Sequence, residues 1–107
     1  EWPAPLLRAL AALEAAPERT WPVGELAARA GIGRSRLHLL FERHLGQSPA
    51  ACALRLRLRA AQAALRDTAE PVTALALRLG FSSSQHFATA FRTQFGLTPT
   101  AYRRGMF

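Results

Sequence analysis

The chain has 107 residues, half of them hydrophobic, and a formal net charge of +7; that length holds one compact domain, or two small subdomains sharing an interface, with enough apolar residues for a core. No apolar run approaches the roughly 18 residues of a membrane span, and the opening EWPAPLL lacks the basic region and cleavage site of a signal peptide. The single cysteine, Cys52, excludes an intramolecular disulfide and fits a reducing compartment, so a cytoplasmic location is expected. All 14 basic residues are Arg. Residues 1–50 carry six of them against five acids, and residues 51–107 carry eight against Asp67 and Glu70 alone. GC-rich coding would explain the missing Lys but not the scarcity of acids in the second half, so a polyanionic partner is expected. A first residue of Glu rather than Met marks the sequence as an expected fragment of a longer chain.

The pattern is helical almost throughout. Pro5 suits a first helical turn, and Leu6, Leu7, Leu10 and Leu13 form an apolar stripe ending near Pro17. Thr20 is placed to cap a second helix with Pro22 just inside it; Leu26, Ala27 and Ala30 form its buried side and Gly31 stops it. A third helix is predicted from Arg34 to Leu45, with Leu37, Leu40 and Phe41 inward and Gly46 ending it. LRLRLR at 54–59 alternates like a strand, but it lies within Pro49–Arg66, a stretch of strong helix formers. Leu54, Leu58, Ala61 and Leu65 fall on one helical face, so one long helix is predicted; Arg55, Arg57 and Arg59 cannot all share a side of it. Pro71–Leu79 is the next helix. Ser82 or Ser83 caps the one after it, which buries Phe87, Phe91 and Phe95 and ends at Gly96. Thr98 caps a short helix from Pro99 to about Arg104, and the tail Gly105–Phe107 is expected to fray.

The chain repeats itself. Pro22, Val23, Leu26, Ala27, Arg29 and Gly31 recur 49 positions later as Pro71, Val72, Leu75, Ala76, Arg78 and Gly80. The offset then becomes 50: Phe41, Gly46, Pro49 and Ala51 recur as Phe91, Gly96, Pro99 and Ala101. One residue is therefore inserted in the second copy shortly after its glycine. Two copies are too few for a solenoid, so one operation performed at two places is expected.

A helix ended by Gly, a short turn and a second amphipathic helix make the helix-turn-helix plan, in which the second helix leaves one face free for a major groove about 12 Å wide. The inward residues leave Ser35, His38, Leu39 and Glu42 outward in the first copy, and Gln85, Ala88, Thr89 and Arg92 in the second. Gln reads adenine bidentately and Thr touches a thymine methyl.

Residues Gly80–Arg104, GFSSSQHFATAFRTQFGLTPTAYRR, resemble the C-terminal signature of AraC/XylS-type transcription regulators. The first copy, ELAARAGIGRSRLHLLFERHLGQSP, and Arg57, Leu58, Ala61 and Leu65 of the long helix match that family too, so the resemblance covers Trp21 to Arg104. It implies an all-α fold of seven helices. Two helix-turn-helix subdomains, 1–48 and 68–107, would be joined by a connecting helix, 49–67. It also implies a partner in double-stranded DNA, a missing N-terminal effector or dimerisation domain, and recognition helices in adjacent major grooves. By motif position the base-reading residues would be Ser35, His38 and Leu39, then Gln85, His86 and Thr89. Arg34, Arg36, Ser84 and Arg92 would contact the backbone or flank the site, although for Arg34 and Arg36 solvated surface is an equal reading. The chain departs from the pattern at Leu39 and Thr89, where Arg or Lys is frequent, at Cys52, where an aromatic is usual, and at Gly33, which replaces a hydroxyl cap.

Other chemistries find little support. His38 and His44 lie six apart on different helix faces, and no Cys or carboxylate pair completes a metal site with them or with His86. His44 is read as a helix C-terminal residue and Cys52 as a small core hydrophobe. There is no phosphate loop, triad or paired carboxylate, so neither an enzyme nor a cofactor is expected. The rival readings are a protein-interaction module docking RNA polymerase or another regulator, and a sequence-blind architectural DNA binder. RNA polymerase is also an expected partner of the regulator itself; no membrane partner is expected. The long helix, about 27 Å by its residue count, is read as a ruler between grooves about 34 Å apart. An Ala inserted between Gln62 and Ala63 is expected to leave it helical yet misalign the second copy.

Overall fold

The computed structural model describes residues 1–105, and among them the chain is all-α with seven helices. These are α1 (Ala4–Ala15), α2 (Val23–Ala30), α3 (Arg34–Leu45), α4 (Pro49–Asp67), α5 (Val72–Arg78), α6 (Ser84–Phe95) and α7 (Pro99–Arg103). Met106 and Phe107 of the expected frayed tail lie outside the described residues. The chain divides into two compact units, Glu1–Leu56 and Arg57–Phe107, so α4 contributes residues to both. The strand-like alternation at 54–59 lies well inside α4, where Ala, Leu, Arg and Gln neighbours favour the helix over any local period of two.

In the first unit α1 packs on α2 and α3. Its buried residues are Leu6, Ala9, Ala12 and Leu13. Leu7, predicted in the stripe, is 51% exposed, because it sits about 100° around the helix from Leu6. The core continues through Leu26, Ala27, Ala30, Leu37, Leu40, Phe41 and Cys52, with Leu10 and Trp21 half-buried against it. Burial raises the Cys52 thiol above its ordinary pKa; nearby Arg55 opposes this and Glu14 adds to it. The thiol form is thus favoured, as suits a packing residue. Thr20 does not cap α2. The N-cap is Pro22, whose carbonyl accepts from the Glu25 and Leu26 N–H groups while its ring supplies no side-chain cap. Arg19 and Arg29 lie over the Trp21 ring, at 3.7 and 5.4 Å from its centroid, and Arg19 also pairs with Glu25.

The second unit is built on aromatic rings. Phe87 and Phe91 of α6 are fully buried, with Leu58, Ala61 and Leu65 of α4, Leu75 and Ala76 of α5, and the turn residues Leu79 and Phe81. Ring centroids run Phe81–Phe87 5.0 Å, Phe87–Phe91 5.7 Å and Phe91–Phe95 4.6 Å, tilted or edge-to-face as ring quadrupoles prefer. Phe95 is only half-buried. Arg103 of α7 donates to the carbonyls of Leu65 (3.1 Å), Thr68 (3.2 Å) and Glu70 (2.5 Å), occupying acceptors in the last turn of α4 and in the loop that follows it.

Upstream of Pro22 the offset of 49 matches only part of the burial pattern. Buried Ala9 and Ala12 of α1 stand 49 positions before buried Leu58 and Ala61 of α4, while buried Leu6 and Leu13 stand 49 before exposed Arg55 and half-buried Gln62. Arg8 and Arg57 are related by the same offset. Arg8 donates twice to the Ala30 carbonyl, from Nε at 3.0 Å and Nη2 at 2.8 Å, closing the C-terminal end of α2. Arg57 instead lies 5.6 Å from the Phe81 ring centroid, and its buried Nε finds no hydrogen-bond acceptor.

Candidate nucleic-acid interface

The two helix-turn-helix segments share their backbone bonds pair for pair. After α2, the Gly31 N–H donates to the Ala28 carbonyl and the Ile32 N–H to the Ala27 carbonyl, both at 3.1 Å. After α5, Gly80 donates to Leu77 at 3.1 Å and Phe81 to Ala76 at 3.0 Å, 49 positions on. The turn requires a left-handed residue, and Gly31 and Gly80 supply it with φ of 83° and 88°. One copy later the same holds at the caps of α4 and α7: Ser48 Oγ accepts from the Ala51 N–H, and Thr98 Oγ1 from the Ala101 N–H, each at 3.1 Å.

The copies differ at the start of the second helix. Gly33 caps α3 without a side chain. Ser83 caps α6, its Oγ accepting from the His86 N–H at 3.0 Å. Between the sequence's two candidates for this cap the structure selects Ser83, so Ser82 is the inserted residue. Ser82 Oγ lies 3.2 Å from His86 Nδ1, and the His86 ring stands edge-on to Phe81 with centroids 5.5 Å apart.

Each second helix has a buried and an open side. In α3, Leu37, Leu40 and Phe41 are buried, while Arg34, Ser35, Arg36, His38, Leu39 and Glu42 are exposed. In α6, Phe87 and Phe91 are buried; Gln85, His86, Thr89 and Arg92 are exposed; Ser84 and Ala88 are half-buried. All ten predicted site residues thus fall on these two helices, and only Ser84 is partly covered. Arg34 is also close to α2, where a Cβ on Gly24 would come within 3.7 Å of its side chain. Two features escaped the sequence reading. His38 Nε2 lies 3.9 Å from Glu42 Oε1, an i, i+4 pair among residues already assigned outward. The Ser82–His86 contact was signalled only by the change of offset from 49 to 50. Leu39 is 52% exposed, as Leu7 (51%) and Leu77 (64%) are on other helices. Among the described residues no three His, Cys, Asp or Glu side chains gather to hold a metal, and no helix is long and apolar enough to cross a membrane.

Comparison with known proteins agrees with this geometry. Residues 26–105 match the family described as "Helix-turn-helix domain". A crystal structure of a transcriptional regulator of AraC-type DNA-binding-domain proteins from Chromobacterium violaceum superposes with a TM-score of 0.90 at 33% identity, covering 94% of this chain and 89% of that one. The DNA-binding domain of AdpA, solved in complex with a target DNA, gives a TM-score of 0.88 at 30% identity, covering 96% of this chain and 93% of that one. The transcriptional regulator AlkR of Acinetobacter baylyi is 35% identical over 99 residues, 92% of this chain and 32% of the relative. The chain spans about a third of the length of such curated relatives. The doubled helix-turn-helix and these matches together show that the chain belongs to the AraC-type DNA-binding domains of transcription regulators, a family that is in general non-enzymatic.

Proposed function

We propose that this domain reads double-stranded DNA sequence-specifically, with α3 and α6 in adjacent major grooves. The carrying observation is that both helices keep a buried apolar side and an open polar side in the same register of one repeated scaffold. Ser35, His38 and Leu39 would meet base edges in one groove, and Gln85, His86 and Thr89 in the other. Arg34, Arg36, Ser84 and Arg92 would meet phosphates or flank the site, where cations favour any duplex. Residues 1–48 and 68–107 serve as the reading subdomains and 49–67 as their connector. Because the curated relatives are about three times longer, we assign effector sensing or dimerisation to sequence outside this chain, and contact with RNA polymerase and a cytoplasmic location to the whole regulator.

Selection of bound duplexes from a random pool, followed by footprinting, tests this reading. The two faces are unlike, so one copy of the chain is expected to protect an asymmetric site with two different half-sites. Affinity is expected to fall with salt with a log–log slope of about −0.9 per phosphate contact. A palindrome bound by two copies overturns the two-head reading. Equal affinity for unrelated duplexes leaves only an architectural binder.

A further inference from the structure

The extra residue of the second copy, Ser82, is exposed, caps nothing and fills no core. Its hydroxyl is nevertheless within hydrogen-bond distance of His86 Nδ1, at 3.2 Å. The same imidazole is held on a second side by the edge-to-face contact with buried Phe81, at 5.5 Å and 77°. Its backbone N–H is held by Ser83. One exposed residue is thereby held at three points, two of them on its ring. Nothing of the kind occupies the first copy, where the residues at the corresponding offsets are Ile32 for Phe81 and Arg36 for His86.

We infer that Ser82 is a positioning residue that keeps the His86 Nε2–H pointing outward as a donor to a purine N7 in the groove read by α6. A hydroxyl both donates and accepts. It donates to Nδ1 of the neutral ring, which leaves the proton on Nε2. It accepts from Nδ1–H of the protonated ring, which also carries a proton on Nε2. In both states the outward atom is a donor. The remaining tautomer would turn a lone pair toward a polyanion and toward the N7 acceptors that line the major groove, and is disfavoured there. N7 is shown by adenine and guanine alike, so a single donor imposes a purine preference without choosing between them. Holding the ring before DNA arrives also lowers the side-chain ordering cost of binding. The inference rests on α6 entering a major groove.

The test uses the 107-residue chain and its selected duplex. Ser82→Ala is expected to lower affinity about fivefold, the worth of one ordinary hydrogen bond, and to leave the melting temperature unchanged. Ser82→Thr, which keeps the hydroxyl, is expected to restore binding. His86→Ala is expected to lower affinity at least as much, and Ser82→Ala to cost nothing more in that background. Replacing one purine of the second half-site by its 7-deaza analogue should weaken the wild type about fivefold and leave both single variants unmoved. Ring nitrogen NMR of the complex should show His86 protonated at Nε2 in the wild type. Wild-type binding by Ser82→Ala, or insensitivity to every 7-deaza substitution, overturns the inference while leaving the groove assignment standing. Wild-type binding by His86→Ala overturns the assignment of His86 to the reading face and the inference with it.

Discussion

The two helix-turn-helix units share a scaffold and differ in what they place on it. The turn bonds, the left-handed glycines and the hydroxyl caps at Ser48 and Thr98 recur with unchanged lengths to within about a tenth of an ångström. The filling diverges: the first unit packs Ala and Leu around one buried phenylalanine, Phe41, whereas the second packs Phe81, Phe87 and Phe91. The outward faces diverge most. The first shows an exposed leucine and a histidine beside a carboxylate; the second shows Gln85, Thr89 and a histidine held by a hydroxyl. Backbone bonds depend little on which apolar side chain lies beneath them, so a duplicated unit keeps them while its core and its outward face change separately.

The largest expected effect comes from breaking the link between the units. The insertion first considered, between Gln62 and Ala63, falls inside the second unit: it would turn Leu65 about 100° away from Leu58 and Ala61 and so disrupt that unit's own core. The informative place is between Leu56 and Arg57, where the units divide. An Ala inserted there keeps each core intact and rotates one unit against the other by about 100°. Specific affinity is expected to fall at least about a thousandfold, to the non-specific level, with helicity by circular dichroism unchanged. Wild-type affinity would show that α4 does not act as a rigid ruler.

Within the second unit, Phe91→Ala is expected to cost about 3–5 kcal/mol in urea unfolding, because a fully buried ring leaves a cavity among Phe87, Phe95 and Tyr102. The half-buried Phe95 should cost less. Unchanged stability with loss of single-strand binding would make Phe91 a stacking residue.

The proposed reading faces separate by chemistry. Gln85→Ala should cost about 1–3 kcal/mol and alter preference at one or two positions. On the proposed assignment exposed Leu39 would meet only a thymine methyl, so replacing one thymine of the first half-site by deoxyuridine should weaken binding about fourfold, the worth of one buried methyl. Leu39→Ala should remove that sensitivity. Quantitative competition with substituted duplexes measures both.

The paired arginines provide a smaller contrast. Arg8→Met strands the Ala30 carbonyl at the partly buried end of α2 and is expected to cost about 1–2 kcal/mol in melting experiments. Burial pulls the Arg57 guanidinium below its ordinary pKa, and its Nε is unpartnered, so Arg57→Met is expected to be near neutral. Equal losses would mean that the two positions do the same job.

The smallest effect is a pH dependence confined to the second unit. Arg78 hydrogen-bonds both Glu70 oxygens and holds the carboxyl below its usual pKa; partial burial opposes this, and the charges of Arg78 and Arg103 add to it. With the folded value lowered, the contribution is present above the usual carboxylate range and is lost as pH falls through the folded value. Glu70→Gln should therefore lower the melting temperature slightly near neutral pH, with the difference from wild type vanishing as pH falls through the lowered folded value.

The sequence by itself determined the seven helices, the repeat and the two outward faces, because helix periodicity, glycine stops and hydroxyl caps are local: Leu37, Leu40, Phe41, Phe87 and Phe91 reveal the buried sides through spacing alone. Thr20 failed as a cap because Pro22 already forms the extended entry to α2. Leu7 failed as a core residue because the stripe is selected by what α2 and α3 present to α1, not by the count of leucines. Tertiary structure decided the rest. Arg8 reaches a carbonyl 22 residues away, and Arg103 reaches three that lie 33 to 38 residues away. Arg57, 49 positions after Arg8, meets an aromatic ring instead. The inserted Ser82 acquires a role only when the turn carries it beside His86. Such contacts depend on how distant segments meet, and a guanidinium or hydroxyl with several possible acceptors takes the one that packing leaves within reach.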